Sequence, residues 1–196
     1  LSPDEVGGFS FVYQNMCSAL NDFPTLAVPF FMLVGSIMET GGLSKRIVNV
    51  ATKMVGNATA GLAFVAILAC MLFGAISGSA PATVAAIGGV MIPAMVRYKY
   101  PLNFTAGLMS GAGGLGVIIP PSIPLIIYGV STSTSIGDLF LAGIMPGVVL
   151  TALLMLTAWI VGKARGFAGT GHVFSVGEFV AALWEAKWAL LMPVII

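Results

Sequence analysis

The chain has 196 residues, of which 58% are hydrophobic and only 8% are charged. Soluble domains carry roughly 25% charged residues, so this composition excludes an ordinary soluble protein and indicates an integral membrane protein. The formal net charge of +1, with no block of basic residues, also excludes an electrostatic surface for nucleic acid.

Long uncharged runs predict membrane-spanning helices. No charged residue occurs at positions 54–96 or 100–137, and these runs exceed the ~20 residues with which a helix crosses a lipid bilayer. The apolar residues do not alternate with polar ones, and helices satisfy their own backbone hydrogen bonds in lipid, so helices are favoured over a β-barrel. We therefore expect an all-α, multi-pass integral membrane protein.

In chain order, the sequence begins with an amphipathic stretch at residues 6–20, which predicts an interfacial helix. Six apolar segments follow, at residues 23–40, 58–76, 82–96, 103–119, 122–131 and 139–162. A second amphipathic stretch at residues 176–188 predicts another interfacial helix, and a seventh apolar segment is expected to begin near Val180.

The apolar segments differ in length. At 1.5 Å per residue, the segment at 139–162 is about 36 Å long and spans a bilayer, whereas 82–96 and 122–131 reach only about 22 and 15 Å. Short apolar segments interrupted by glycine and proline are typical of discontinuous membrane helices.

Basic residues predict the topology. They follow the first, third and sixth apolar segments, as Lys45, Arg46 and Lys53, then Arg97 and Lys99, then Lys163 and Arg165. The positive-inside rule places all three groups in the cytoplasm. Residues 103–131 must then cross once, as a single helix broken around GLGVIIPPSIP, before residues 139–162 return.

The same rule leaves two alternatives for residues 58–96, because two full spans and a re-entrant hairpin both return Arg97 to the cytoplasmic face. The shortness of 82–96 and the uncharged turn favour the hairpin. Irregular backbone at membrane depth must be buried in protein or line a cavity, so we expect the hairpin tip to meet the broken helix.

The tip and the break carry polar groups suited to ion binding. In SGSAP, Pro81 fits a first helical turn and Ser79 an N-cap whose hydroxyl accepts from an orphan N–H. In the break, two adjacent prolines remove two donors, and Ser122 stands near the start of the next helix. Carbonyls and hydroxyls suit a hard cation, and helix N-termini suit a carboxylate. One such kink alone would be structural, but two in uncharged runs favour a site.

The sequence shows no recognisable catalytic motif. Paired carboxylates and a nucleophile with its base are both missing from the motifs. The run GAGGLG at 111–116 matches the spacing of a dinucleotide-binding loop, but no strand precedes it and prolines interrupt the following helix. Close helix packing explains these glycines better, so we expect neither an enzyme nor an organic cofactor.

Three long stretches resemble a known family. FPTLAVPFFMLVGSIMETGGLSKRIVNVA, FGAISGSAPATVAAIGGVMIPAMV and GAGGLGVIIPPSIPLIIYGVSTSTSIGDLFLAGIMPGVVL are similar, in order and spacing, to the large membrane (permease) subunit of the tripartite ATP-independent periplasmic (TRAP) transporters. The resemblance covers nearly the whole chain and corresponds to the N-terminal half of such subunits. It implies the ion transporter superfamily, with inverted repeats, a helical hairpin, a broken helix and an elevator-type transport domain.

The resemblance implies sodium symport of a small organic acid (a carboxylate) across the bacterial inner membrane. The implied partners are a periplasmic substrate-binding protein and a small four-helix membrane subunit. The implied sodium site joins the tip to carbonyls of the unwound helix, that is Ser77, Gly78, Ser79 and Thr83 with Gly114, Val117 and Pro120. The substrate is expected beside it, at Ser79, Thr83, Pro121 and Ser122. Ala80 and Pro81 replace a serine and a valine-like residue of the family's tip, which removes one possible hydroxyl ligand.

We divide the chain accordingly. Residues 1–57 hold an interfacial helix and a scaffold helix, 58–136 the hairpin and broken helix of the transport domain, 137–166 a transmembrane helix, and 167–196 a cytoplasmic linker, an interfacial helix and the start of a second repeat. A stand-alone sodium-coupled dicarboxylate or citrate carrier of the same superfamily is the main alternative. A channel and an intramembrane enzyme fit less well, because the chain shows neither a continuous polar pore nor acid–base pairs.

Overall fold

We describe the fold from a computed structural model, which defines residues 3–20, 29–30, 33, 37, 41–55, 58–167 and 175–187. The predicted segment at 23–40 therefore lies mostly outside the described residues, as does most of the expected seventh segment. Within the described ranges the regular structure is entirely helical, which confirms the all-α prediction. The helices are α1 (Pro3–Leu20), α2 (Leu43–Val55), α3 (Gly61–Ser77), α4 (Ala80–Arg97), α5 (Leu102–Gly113), α6 (Leu115–Ile118), α7 (Ile123–Thr132), α8 (Ile136–Arg165) and α9 (Val176–Glu185).

Helix α3 lies at the centre of the fold. It is apolar on every side, and its large side chains Ile67, Phe73 and Ile76 are at most 1% exposed. Helices α2, α4, α5, α6 and α8 all pack against it. A helix that is hydrophobic all round must be covered by protein or lipid, and here the neighbouring helices cover α3. Helix α3 is therefore the inner arm of the predicted hairpin, and α4 is the outer arm.

Three units of the described part have the length and composition to cross a bilayer. Two are the single helices α4 and α8, and the third is the pair formed by α5–α6 and α7, which is bent by 41° at the break. Helix α8 exceeds the predicted segment by three residues at each end. The Ser135 hydroxyl caps its start by accepting from the Asp138 N–H, and Gly166 ends it in the left-handed conformation.

The second arm of the hairpin is long enough to cross a bilayer, so the predicted shortness of this segment was wrong. The second arm, predicted at residues 82–96, is the 18-residue helix α4, which begins at Ala80 and contains Pro93. At 1.5 Å per residue this helix is about 27 Å long. Prolines at both ends of the segment are accommodated within the helix, so shortness does not separate a hairpin from two full spans.

Contacts with α8 instead distinguish a re-entrant hairpin from two full spans. At the base of the hairpin, a Cβ added to Gly162 would lie 2.5 Å from the Ala60 Cβ. Near the other end, a Cβ on Gly143 would lie 2.8 Å from the Ile118 carbonyl oxygen, and one on Gly147 would lie 2.7 Å from Ile119 Cγ1. Residues 136–142 of α8 therefore extend about 10 Å beyond the level of the break. This geometry favours a re-entrant hairpin that stops inside the depth spanned by α8.

An aromatic cluster agrees with the predicted topology of the broken helix. Phe167, just after α8, lies 4.3 Å from the ring of Tyr100 and 5.3 Å from the ring of Phe104. Burial raises the pKa of Tyr100, while a hydrogen bond with the Leu62 backbone opposes this change. The C-terminal end of α8 thus lies beside the loop that carries Arg97 and Lys99, so α5–α7 runs once from this end and α8 returns to it.

Both predicted amphipathic helices are present as α1 and α9. Helix α9 packs on α2, where Val50, Ala182 and Ala186 are buried together. Lys53 of α2 also forms an ion pair with Glu178 of α9. Their place at a membrane interface, and the division of the chain into four regions, stay predictions.

Candidate functional site

The hairpin tip is a two-residue connection between α3 and α4. Gly78 takes the left-handed conformation with φ +61 and donates its N–H to the Gly74 carbonyl at 2.9 Å. Ser79 is extended and occupies the N-cap of α4, with proline in the first turn as predicted. The Ser79 hydroxyl makes no capping hydrogen bond, so that part of the prediction was wrong and the hydroxyl stays available to a ligand.

Three oxygen atoms cluster at the tip. The Thr83 hydroxyl donates to the Ser79 carbonyl at 2.8 Å, and it lies 3.0 Å from the Ser77 hydroxyl. Ser77 is 4% exposed and Thr83 is fully buried. Hydroxyl and carbonyl oxygens held this close are the ligand type that hard cations prefer.

The break begins at Gly114, where α5 ends, and continues beyond the single turn of α6. The Pro120–Pro121 bond is cis. Ser122 is fully buried and occupies the N-cap of α7, with its hydroxyl donating to the Val117 carbonyl at 2.7 Å. The Gly114 carbonyl accepts from the Val117 N–H at 3.2 Å. Because a carbonyl oxygen has two lone pairs, both carbonyls keep one for a cation.

The tip and the break are in direct contact, as the sequence predicts. The Ile123 N–H donates to the Gly78 carbonyl at 3.2 Å. A Cβ on Gly78 would lie 2.7 Å from the Pro121 carbonyl oxygen. The C-terminal ends of α3 and α6 and the N-terminal ends of α4 and α7 therefore meet at one place.

Gly116 is a site residue that the sequence analysis did not identify. A Cβ at this position would lie 2.6 Å from the Thr83 hydroxyl oxygen and 3.0 Å from the Ser79 carbonyl oxygen. On its other side, a Cβ on Gly74 would lie 2.7 Å from the Gly116 Cα. The run GAGGLG predicted close packing, and the structure shows that this packing brings α6 against the oxygen cluster.

The structure connects the predicted residues to different degrees. The tip residues Ser77, Gly78, Ser79 and Thr83 adjoin one another, and Pro121 and Ser122 lie next to them in the break. Val117 is joined to this group through Ser122. Gly114 is hydrogen-bonded to Gly111 within its own segment, and Pro120 lies beside Gly143 of α8. Ion coordination and substrate contact by these residues stay predictions.

The electrostatics of the site come from the backbone. Charged residues are absent from positions 54–96 and 100–137, which contain both the tip and the break. Among the described residues, no group of three His, Cys, Asp or Glu side chains could hold a metal ion. A cation here would be bound by carbonyl and hydroxyl oxygens, and an anion would be stabilised by helix N-termini and by that cation.

Comparisons with known proteins agree with this architecture. The family described as "Tripartite ATP-independent periplasmic transporter, DctM component" matches residues 5–196. The isethionate TRAP transporter permease protein DctMQ of Oleidesulfovibrio alaskensis is 46% identical, over 95% of this chain and 29% of its own length. The C4-dicarboxylate TRAP transporter large permease protein DctM of Pseudomonas aeruginosa is 44% identical, over 100% of this chain and 45% of its own length. The sialic acid TRAP transporter large permease protein SiaM of Vibrio cholerae is 42% identical, over 96% of this chain and 44% of its own length.

Proposed function

Because the chain belongs to the DctM component family of the tripartite ATP-independent periplasmic transporters, we propose that the whole protein takes up a small organic acid together with sodium. Its relatives are transport permeases and not enzymes. The chain spans less than half the length of these relatives, so the activity belongs to the longer protein. We place that protein in the bacterial inner membrane, with a small membrane subunit and a periplasmic binding protein that delivers the substrate.

The oxygen cluster of Ser77, Ser79 and Thr83 carries the proposal. Ser77 and Thr83 are buried and Ser79 is half-buried, and the cluster contains no formal charge and faces the broken helix. It therefore offers a cation a set of hard ligands without a bound counter-ion. Sodium is the cargo that such a site suits, with further oxygens supplied by the broken helix. A sodium ion here would leave a net positive charge beside the N-termini of α4 and α7.

That charge supplies the coupling between sodium and substrate. Moving a carboxylate out of water is costly unless an opposite charge or several donors replace its hydration. A sodium ion a few ångströms away provides this compensation and raises the affinity for the carboxylate, and by linkage the carboxylate raises the affinity for sodium. Transport of one solute therefore favours transport of the other.

Within the site, the N-terminus of α4 is the better anion contact. At α7, Pro124 has no N–H and the Ile123 N–H already donates to the Gly78 carbonyl. At α4, only Pro81 lacks a donor in the first turn, and the uncapped Ser79 hydroxyl stands beside it. We propose that Ser79 contacts the substrate carboxylate directly, while Ser122 holds the Val117 carbonyl in place.

Transport in proteoliposomes tests the proposal. The full-length large subunit with its small subunit is supplied with radiolabelled isethionate, a C4-dicarboxylate or sialic acid, with and without an inward sodium gradient and the binding protein. We expect uptake of one of these acids only when both are present. Equal uptake under a potassium gradient would contradict sodium coupling. Uptake that needs sodium and not the binding protein would instead support a stand-alone carrier.

A further inference from the structure

An open cavity lies at the C-terminal end of α4, far from the hairpin tip. Its volume is about 460 Å³, and Ala94, Arg97 and Tyr98 line it. Ala94 and Arg97 are three residues apart, so they lie on the same face of α4. The described part of the lining therefore combines a methyl group, a guanidinium and a phenol.

Among the described residues, no acidic side chain forms an ion pair with the guanidinium of this cavity. Arg97 is exposed, and the ion pair found in the described part of the chain joins Lys53 to Glu178 instead. Asp138 lies at the opposite end of α8, beyond the level of the break. The planar guanidinium of an arginine presents a fork of donors that matches a phosphate group.

A second cation stands next to the cavity. Lys99 is exposed and adopts φ +64, a conformation in which glycine is the usual residue. The turn is closed by hydrogen bonds from the Tyr98 N–H to the Ala94 carbonyl and from the Tyr100 N–H to the Met95 carbonyl. Arg97 and Lys99 thus flank Tyr98 in a fixed turn.

The surroundings of the cavity match the edge of a bilayer. Val96 is 44% exposed and Leu102 is 60% exposed, so apolar surface borders the cations. The same end of the molecule carries Lys163 and Arg165, and tyrosine is common at the level of lipid headgroups. Basic pockets at the cytoplasmic side of membrane helices attract anionic lipid headgroups.

We propose that this cavity binds the phosphate of an anionic phospholipid headgroup. Arg97 contacts the phosphate, Tyr98 adds a hydroxyl donor and Lys99 adds a second positive charge. The acyl chains lie along the exposed apolar surface of α4 and the start of α5. The proposal is independent of sodium transport, because it uses none of the residues at the tip or the break.

Native mass spectrometry of the full-length protein with added phosphatidylglycerol tests the site. We expect Arg97→Gln to weaken lipid binding by at least about fivefold, because the phosphate loses its charge-assisted hydrogen bonds to the guanidinium that lines the cavity. Lys163→Gln is the matched control, because Lys163 is exposed at the same end, lies 5.3 Å from the Trp159 ring and does not line the cavity. This control should bind within about twofold of the unmodified protein.

Three results would overturn the proposal. The first is unchanged phosphatidylglycerol binding by Arg97→Gln, and the second is an equal loss in Lys163→Gln, which would indicate general surface charge. The third is displacement of the lipid by an equal concentration of inorganic phosphate, which would make free phosphate the ligand. Arg97 is exposed at the end of its helix, so its replacement should leave folding intact.

Discussion

Replacing Gly116 by alanine is expected to separate the broken helix from the hairpin tip and to abolish most sodium-dependent uptake. The added Cβ would lie 2.6 Å from the Thr83 hydroxyl oxygen and 3.0 Å from the Ser79 carbonyl oxygen. Thr83 cannot turn away freely, because its hydroxyl is bonded to that same carbonyl. Overpacking of this kind costs about 1–3 kcal/mol, which corresponds to roughly 5–150-fold in sodium affinity if the bound geometry carries all of the strain.

Gly107→Ala provides the matched control for Gly116→Ala. Gly107 lies on α5, and a Cβ there would meet no atom within 4 Å. The measurement is the sodium concentration for half-maximal uptake in proteoliposomes, with insertion of each variant verified by yield from the membrane fraction. A Gly116→Ala protein that titrates with sodium like Gly107→Ala would show that the contact between tip and break is not needed.

Thr83→Val is expected to produce the second large effect. Valine keeps the shape of the side chain, but it removes a buried hydroxyl that bonds the Ser79 carbonyl and the Ser77 hydroxyl. The Ser79 carbonyl and the Ser77 hydroxyl keep other hydrogen bonds, so the main loss is that of the hydroxyl oxygen as an ion ligand. A polar contact with a charged group contributes about 1.5–3 kcal/mol. We expect the sodium affinity to fall at least about tenfold, since 1.4 kcal/mol corresponds to a factor of ten.

Thr83→Ser separates an ion ligand from a purely structural hydroxyl. Serine retains the hydroxyl and should keep most of the sodium affinity. The thermal unfolding midpoint of each full-length variant is measured in sodium and in potassium. A ligand role predicts that sodium stabilises the unmodified protein and Thr83→Ser more than Thr83→Val. If sodium raised all three midpoints equally, Thr83 would be structural only.

The topology of the chain could be predicted because charge is scarce in it. Seven of its basic residues fall in three groups, and the positive-inside rule allowed only one crossing for residues 103–131. The contact of Phe167 with Tyr100 agrees with this arrangement. The meeting of tip and break was predictable for a similar reason, because interrupted helices at membrane depth must cover one another's free backbone groups.

The length of α4 could not be read from composition. Pro81 fits a first helical turn, where its missing N–H costs nothing, so the helix begins before the apolar segment does. Pro93 lies inside the same helix. Proline therefore did not mark the ends of this element, and the hairpin interpretation depends on glycine contacts with α8 that only the folded structure shows.

The side-chain partners within the site were also beyond the sequence. Ser79 and Ser122 both occupy N-caps, as their positions before a proline-containing turn suggest. Neither hydroxyl caps its own helix, since Ser122 donates to Val117 across the break instead. That choice, and the role of Gly116, depend on how closely two distant segments approach. The residues next to each serine do not specify the distance between the tip and the break.

Cysteine labelling at the tip tests the central claim, that the hairpin tip binds sodium against the broken helix within the membrane. Ala80→Cys is placed in the full-length protein with Cys17 and any other exposed cysteine replaced by serine, while Cys70 is buried. The rate of maleimide modification is measured in sodium and in potassium. At sodium ten times its dissociation constant, we expect labelling to slow about tenfold, while Ser131→Cys, on an exposed turn of α7, reacts equally in both salts. Labelling of Ala80→Cys at the same rate in sodium and in potassium would contradict the account.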